Sequence, residues 1–139
     1  MYTIQTESSF DSAHFLKDYE GKCANIHGHR WTVQIEAAAE KLSSEGHTRG
    51  MVMDFSEIKS ILRKETQRLD HALIIEEGSL KETTLEALLS EGFRIVSFPF
   101  RPTSENLAKY FYDYLKQAGC PVRRVRVAET PKNIAGYEE

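Results

Sequence analysis

Trp31, Val33, Ile35 and Ala37 alternate with Thr32, Gln34 and Glu36, and no other stretch constrains the fold as strongly. Apolar/polar alternation marks a strand with one buried face, because successive side chains leave a strand on opposite sides. Read backwards, the same odd parity takes in His29 and His27. One strand therefore carries two imidazoles on the face that holds its apolar side chains. Upstream, Tyr2, Ile4 and Phe10 share even parity, interrupted at Thr6 and Ser8, and His14 continues it. Two such strands, joined by a loop holding Cys23, bring three imidazoles together at one end of a sheet.

The remaining elements follow from capping signals and apolar spacing. Asp54 can cap a helix, with Glu57 in its first turn and Met53 placed to pack on Ile58. Phe55, Ile58, Ile61, Leu62 and Leu69 then fall on one helical stripe that ends just before Asp70-His71. Residues 79–91 suit a shorter helix capped by Ser79 or Thr83 and stopped by Gly92, followed by a strand over Phe93–Phe98. Pro102-Thr103 opens a helix with Leu107, Ala108, Phe111 and Leu115 inward, and Gly119 ends it before a last strand over Val122–Glu129. This order predicts an α+β fold: one domain over residues 1–139, with an antiparallel four-stranded sheet and helices packed on one face. The edges of such a sheet favour self-association.

Composition narrows the class of function. Lys plus Arg is 18 and Asp plus Glu is 21, a formal charge of −3, which argues against a nucleic-acid partner. No apolar run is long enough for a bilayer, and the first residues lack the basic and apolar regions of a secretory signal. Cys23 and Cys120 do not form a disulfide framework, so a reducing cytoplasm is expected.

The histidines carry the strongest chemical signal. His14, His27 and His29 suit Zn2+, which takes neutral imidazole readily and in catalytic sites keeps one position open. Cys23 then has two readings: a fourth ligand that closes the site, or a reactive thiol beside it, with Lys22 favouring the thiolate. Cys120 reads as a structural thiol in a turn, and His47 as an exposed loop residue. Asp70-His71 suits either a turn or a carboxylate-held imidazole acting as a base. Glu129 extends the apolar parity of Val125 and Val127, so its carboxylate needs a partner, either an arginine or the N–H groups of a bound heterocycle.

Six ordered motifs resemble the 6-pyruvoyltetrahydropterin synthase superfamily. They are Phe10-Asp-Ser-Ala-His14, Cys23-x-x-x-His27-Gly-His29, Gly50-Met-Val-Met-Asp54-Phe55, Leu69-Asp70-His71, Pro102-Thr103-Ser104-Glu105-Asn106 and Glu129-Thr130. The three-residue interval between Cys23 and His27 resembles the 6-carboxytetrahydropterin synthase branch of queuosine and 7-deazapurine biosynthesis. That resemblance implies a tunnelling fold whose sheets join into a barrel in the oligomer, commonly a homohexamer built as a dimer of trimers. It implies Zn2+ on His14, His27 and His29, proton transfer by Cys23, Asp70 and His71, a pterin held by Glu129, and a pocket framed by Thr103. The implied reaction is a lyase step that turns 7,8-dihydroneopterin triphosphate into 6-carboxy-5,6,7,8-tetrahydropterin, acetaldehyde and triphosphate.

Two alternatives stand beside it. A pyruvoyl-forming synthase would eliminate triphosphate without breaking a carbon–carbon bond, and a non-catalytic assembly module would use Cys23 to close a zinc site. Lys17, Lys22, Arg30, Arg101 and Lys132 are candidate triphosphate contacts. Ala72-Leu73-Ile74-Ile75 departs from the Leu-Asn pair that often follows this Asp-His in the superfamily, and the segment up to Pro102 is longer than in compact members.

Overall fold

The computed structural model describes residues 1–139. In chain order its elements are β1 (Tyr2–His14), β2 (His27–Ala39), α1 (Phe55–Leu69), β3 (Ala72–Glu76), α2 (Glu82–Ser90), β4 (Ile95–Phe98), α3 (Ser104–Gln117), β5 (Val122–Thr130) and β6 (Asn133–Glu138). A short 3-10 turn, Lys22–Ala24, interrupts the β1–β2 loop.

The strands form one sheet in the order β4-β3-β1-β2-β5-β6. The β1–β2, β2–β5 and β5–β6 pairs are antiparallel, whereas β3 runs parallel to both β1 and β4. The expected antiparallel four-stranded sheet is therefore corrected to a mixed sheet of six strands. The omissions have physical causes. In β3, Ile74 and Ile75 are 0% and 1% exposed, so both faces are covered and the alternation that reveals a half-buried strand is absent. In β6 the large apolar residue Ile134 points outward at 57% exposure, which inverts the expected pattern.

Register fixes which residues share a face. Phe10 pairs with Trp31, Ser12 with His29, and His14 with His27, so the even residues of β1 and the odd residues of β2 project together. That face carries the core. Trp31, Val33 and Val127 meet Ile58 and Leu62 of α1 and Leu107, Phe111 and Leu115 of α3 in one cluster. Each large side chain buried there contributes about 1.5–3 kcal/mol. The opposite face is polar, with Gln5, Glu7, Ser9 and Arg126 exposed.

The helix starts behave as the capping signals imply. Asp54 Oδ1 accepts the Ser56 N–H at 2.7 Å, and Thr103 Oγ1 accepts the Asn106 N–H at 3.3 Å. Phe55 departs from the predicted stripe: as the first residue of α1 it stays 48% exposed. Glu65 is buried between α1 and α3, where its carboxylate accepts hydrogen bonds from the Arg68 guanidinium (2.7 Å to Nη2) and the Tyr110 hydroxyl. Neither Ser79 nor Thr83 caps α2. Lys81 holds that position without a side-chain bond, and Ser79 Oγ instead donates to the Glu76 carbonyl at 2.6 Å. No helix is long and apolar enough to cross a membrane.

Candidate metal centre and its pocket

The last residue of β1 and the first of β2 are both histidines, and their pairing places His14 and His27 side by side. His29 joins them from two residues further along the same face. The ligand atoms of the three imidazoles lie within 4.8 Å of one another.

Main-chain carbonyls fix two of these rings. His14 Nδ1 lies 2.8 Å from the Pro102 carbonyl oxygen, and His27 Nδ1 lies 2.6 Å from that of Asn25. A carbonyl oxygen only accepts, so each Nδ1 carries the proton and each Nε2 is left with a bare lone pair. Those two Nε2 atoms face each other at 3.1 Å. Two lone pairs repel at that distance unless a proton or a metal cation lies between them. Tetrahedral zinc with Zn–N bonds of about 2.0–2.1 Å would separate its ligand nitrogens by roughly 3.3 Å.

His29 makes the same point independently. Its Nε2 is buried without a hydrogen bond, and although Glu129 Oε1 is 3.2 Å away, the geometry is not that of one. A buried polar atom lacking a partner is costly, and a cation among the three rings would satisfy it. Burial, opposed by the Pro102 bond, pulls the His14 pKa down to about 4, and burial also lowers that of His29. Both changes favour the neutral imidazole that metals bind. The donor set thus fits a divalent metal ion of zinc's type.

A cavity of about 270 Å³ opens at the His14 ring, lined by His14, Tyr19, Cys23, Arg101, Thr103 and Glu129, among others. Cys23 is half-buried on the 3-10 turn. Glu129 reaches the site by strand parity: it follows Val125 and Val127 on the same face of β5, whose register with β2 sets Ala128 opposite Thr32. Thr103 arrives with the start of α3. All of these residues were singled out from the sequence except Tyr19, whose signal was only its place in the Cys23 loop, and Arg101, seen only as one of several cations. Ser104 and Glu105, also on the lining, stand in the sequence only as residues of the Pro102–Asn106 motif.

Asp70 and His71 are not on that lining. They are clamped to β1 at Asp11: the Asp11 N–H donates to Asp70 Oδ1 at 2.8 Å, and the His71 N–H donates to the Asp11 carbonyl at 2.7 Å. Asp11 has odd parity, which is the face of the sheet opposite His14. His71 takes a left-handed backbone conformation (φ 55°), its Nδ1 lies 2.9 Å from Asp70 Oδ2, and its side chain is 79% exposed. The Asp11 N–H first, and His71 second, hold the Asp70 carboxyl below its ordinary range. Arg30 is engaged nearby, its guanidinium donating to both Asp11 oxygens at 2.9 and 3.0 Å. Cys120 is buried, and burial pushes its thiol pKa up, in keeping with a structural thiol.

Fold and site together define an α+β protein with a three-histidine set able to hold a metal ion beside a small polar cavity. The family model described as 6-pyruvoyl tetrahydropterin synthase matches residues 3–139, and the chain belongs to that enzyme family. It is 35% identical to a 6-carboxy-5,6,7,8-tetrahydropterin synthase of Haemophilus influenzae, with all of both chains covered. It is 33% identical to a protein of the same name from Synechocystis, covering 99% of this chain and 93% of that one. Among solved structures, 6-pyruvoyl tetrahydropterin synthase of Caenorhabditis elegans superposes with a TM-score of 0.68 at 26% identity, covering 99% and 95% of the two chains. An uncharacterised protein from Wolinella succinogenes shares the fold with a TM-score of 0.82 at 23% identity, covering 99% and 98%.

Proposed function

We propose that the chain is a 6-carboxytetrahydropterin synthase of queuosine and 7-deazapurine biosynthesis. It would convert 7,8-dihydroneopterin triphosphate, with water, to 6-carboxy-5,6,7,8-tetrahydropterin, acetaldehyde and triphosphate. One observation carries this reading: two imidazole lone pairs are aimed at each other by main-chain carbonyls, and one of those rings, His14, lines a cavity that also holds a thiol and a carboxylate. The full-length relatives bearing that name support it.

His14, His27 and His29 would hold a zinc ion, which would supply Lewis-acid polarisation to the oxygens of the substrate side chain. Cys23 stands beside this site rather than closing it, and removes or returns a proton at the side-chain carbons. Glu129 accepts N–H donors of the pterin ring at the cavity's edge, and Thr103 frames the pocket from the α3 start. Asp70 orients His71 as a second proton carrier. Because that pair does not line the cavity of its own copy, it serves that of a neighbouring copy in a barrel-forming homohexamer.

The test is product analysis after incubating the zinc-loaded protein with 7,8-dihydroneopterin triphosphate. Acetaldehyde and 6-carboxytetrahydropterin in equal amounts are expected. Consumption of substrate with triphosphate released and no acetaldehyde would replace this reading with the pyruvoyl-forming one.

A further inference from the structure

The segment from Leu16 to Asn25 carries Cys23, and nearly all of its hydrogen bonds stay within it. Leu16 N donates to the Cys23 carbonyl at 2.9 Å, Ala24 N to Gly21 at 3.1 Å, and Asn25 N to Lys22 at 3.1 Å. Asp18 reverses the chain with φ 63°, and the Tyr19 ring is seated on Gly21. A Cβ at Gly21 would lie 2.7 Å from Tyr19 Cε1, so only glycine admits that contact undisturbed. The loop therefore has a defined internal shape, but self-contained bonds do not decide how it sits against the rest of the protein.

One hydrogen bond does. Arg101 Nη2 donates to the Lys17 carbonyl at 2.5 Å, and apart from bonds to the flanking Leu16 and Asn25 it is the single hydrogen bond joining residues 17–24 to the rest of the fold. Arg101 is well anchored to act as a grip. Its own carbonyl accepts the Thr103 N–H at 2.8 Å and Asn106 Nδ2 at 2.9 Å. The next residue supplies the carbonyl that orients His14, and the one after it caps α3. Three consecutive residues thus tie the thiol loop, a histidine of the site and a helix start to one another. A guanidinium bonding a carbonyl is among the stronger hydrogen bonds, and its planar fork loses little freedom in making it.

We propose that Arg101 is a positioning residue, whose grip on the Lys17 carbonyl holds the Cys23 loop against the cavity beside His14. This deepens the function proposed above and rests on it only for the catalytic consequence. The geometric claim concerns the protein without substrate. It separates Arg101 from the other cations considered for the triphosphate: a triphosphate contact would act through substrate affinity, whereas a grip on the loop acts on the thiol.

The experiment compares wild type, Arg101→Gln and Arg101→Lys in the zinc-loaded full chain. Iodoacetamide alkylation at Cys23 is followed by peptide mass spectrometry, with buried Cys120 as internal reference. Loss of one charge-assisted hydrogen bond is expected to change the Cys23 rate about tenfold in Arg101→Gln, while Arg101→Lys recovers to within about threefold. Zinc content should not change. Steady-state turnover should show kcat reduced and KM near the wild-type value.

A Cys23 rate within about twofold of wild type in Arg101→Gln, or a variant that raises KM at constant kcat, overturns the proposal. A changed alkylation rate in a protein that forms no acetaldehyde at all would sink the proposed reaction and leave the positioning role standing. Arg101→Met tests the same contact should Arg101→Gln fail to fold.

Discussion

Replacing His27 by alanine separates a metal centre from a merely structural cluster of imidazoles. In the metal-free protein the substitution removes one of two lone pairs that face each other at 3.1 Å and gives up the hydrogen bond to the Asn25 carbonyl. Those effects oppose each other. With metal the balance changes, because one of three ligands is gone. A ligand that binds only the folded state adds RT ln(1 + [L]/Kd), about 2.7 kcal/mol at 100 times Kd. For a chain of 139 residues each kcal/mol moves Tm by roughly 4 °C, so zinc should raise the wild-type Tm by about 10 °C. Losing an outer partner already weakens such sites about 10–100-fold, and losing a ligand belongs at or beyond the upper end. At the same zinc concentration a 100-fold weaker site retains RT ln 2, about 0.4 kcal/mol or ~2 °C. The assay is thermal unfolding of chelator-stripped protein with and without zinc at pH 8, for both proteins. Comparing the zinc-dependent shifts cancels the cost of the lost Asn25 bond. An equal shift in His27→Ala, or a wild-type Tm that no divalent ion moves, would refute the reasoning.

Two further substitutions probe groups outside the cavity. In Asp70→Asn the acceptor for the Asp11 N–H remains but the charge is removed. The folded Asp70 carboxyl sits below its unfolded value of 3.8, so it contributes stability that is present above that pH and lost as pH falls through the folded value. The urea-midpoint gap between wild type and Asp70→Asn should therefore shrink on acidification, and a constant gap would contradict this. In Tyr110→Phe the buried Glu65 loses a donor, at a cost of about 1 kcal/mol near neutral pH. Burial first, and Glu65 second, push the Tyr110 hydroxyl up to about 12. Its contribution is thus complete below the unfolded value of 10.0 and fades as pH rises toward about 12, so the two proteins' denaturation midpoints should converge over that interval.

Legibility in the sequence followed exposure. β1, β2, α1 and α3 each bury one face, and their periodicities place the site: Trp31 to Ala37 gave the parity that gathers His27 and His29, and even parity brought in His14. β3 was lost for the opposite reason, since a strand covered on both faces shows no alternation. β6 was lost because Ile134 faces outward. The partners of the histidines were illegible for a different reason. Pro102 and Asn25 act through carbonyl oxygens, which every residue possesses, so no residue type announces them. Glu129 is legible as a buried-face carboxylate, but its approach to His29 depends on the pairing of β5 with β2, which the sequence does not display.

The carbonyl-held histidines also bear on how such a pocket can diverge. Where a carboxylate side chain orients a ligand, one substitution can erase the orientation and with it much of the site's affinity. Here the orienting oxygens belong to the peptide chain, at the end of β1's partner loop and just ahead of α3. Point substitutions among the neighbouring side chains leave those oxygens in place. The cavity wall at Tyr19, Cys23, Thr103 and Glu129 is therefore free to accumulate changes in shape and chemistry around a fixed centre, so one scaffold can be retuned to new substrates without first rebuilding its ligand geometry.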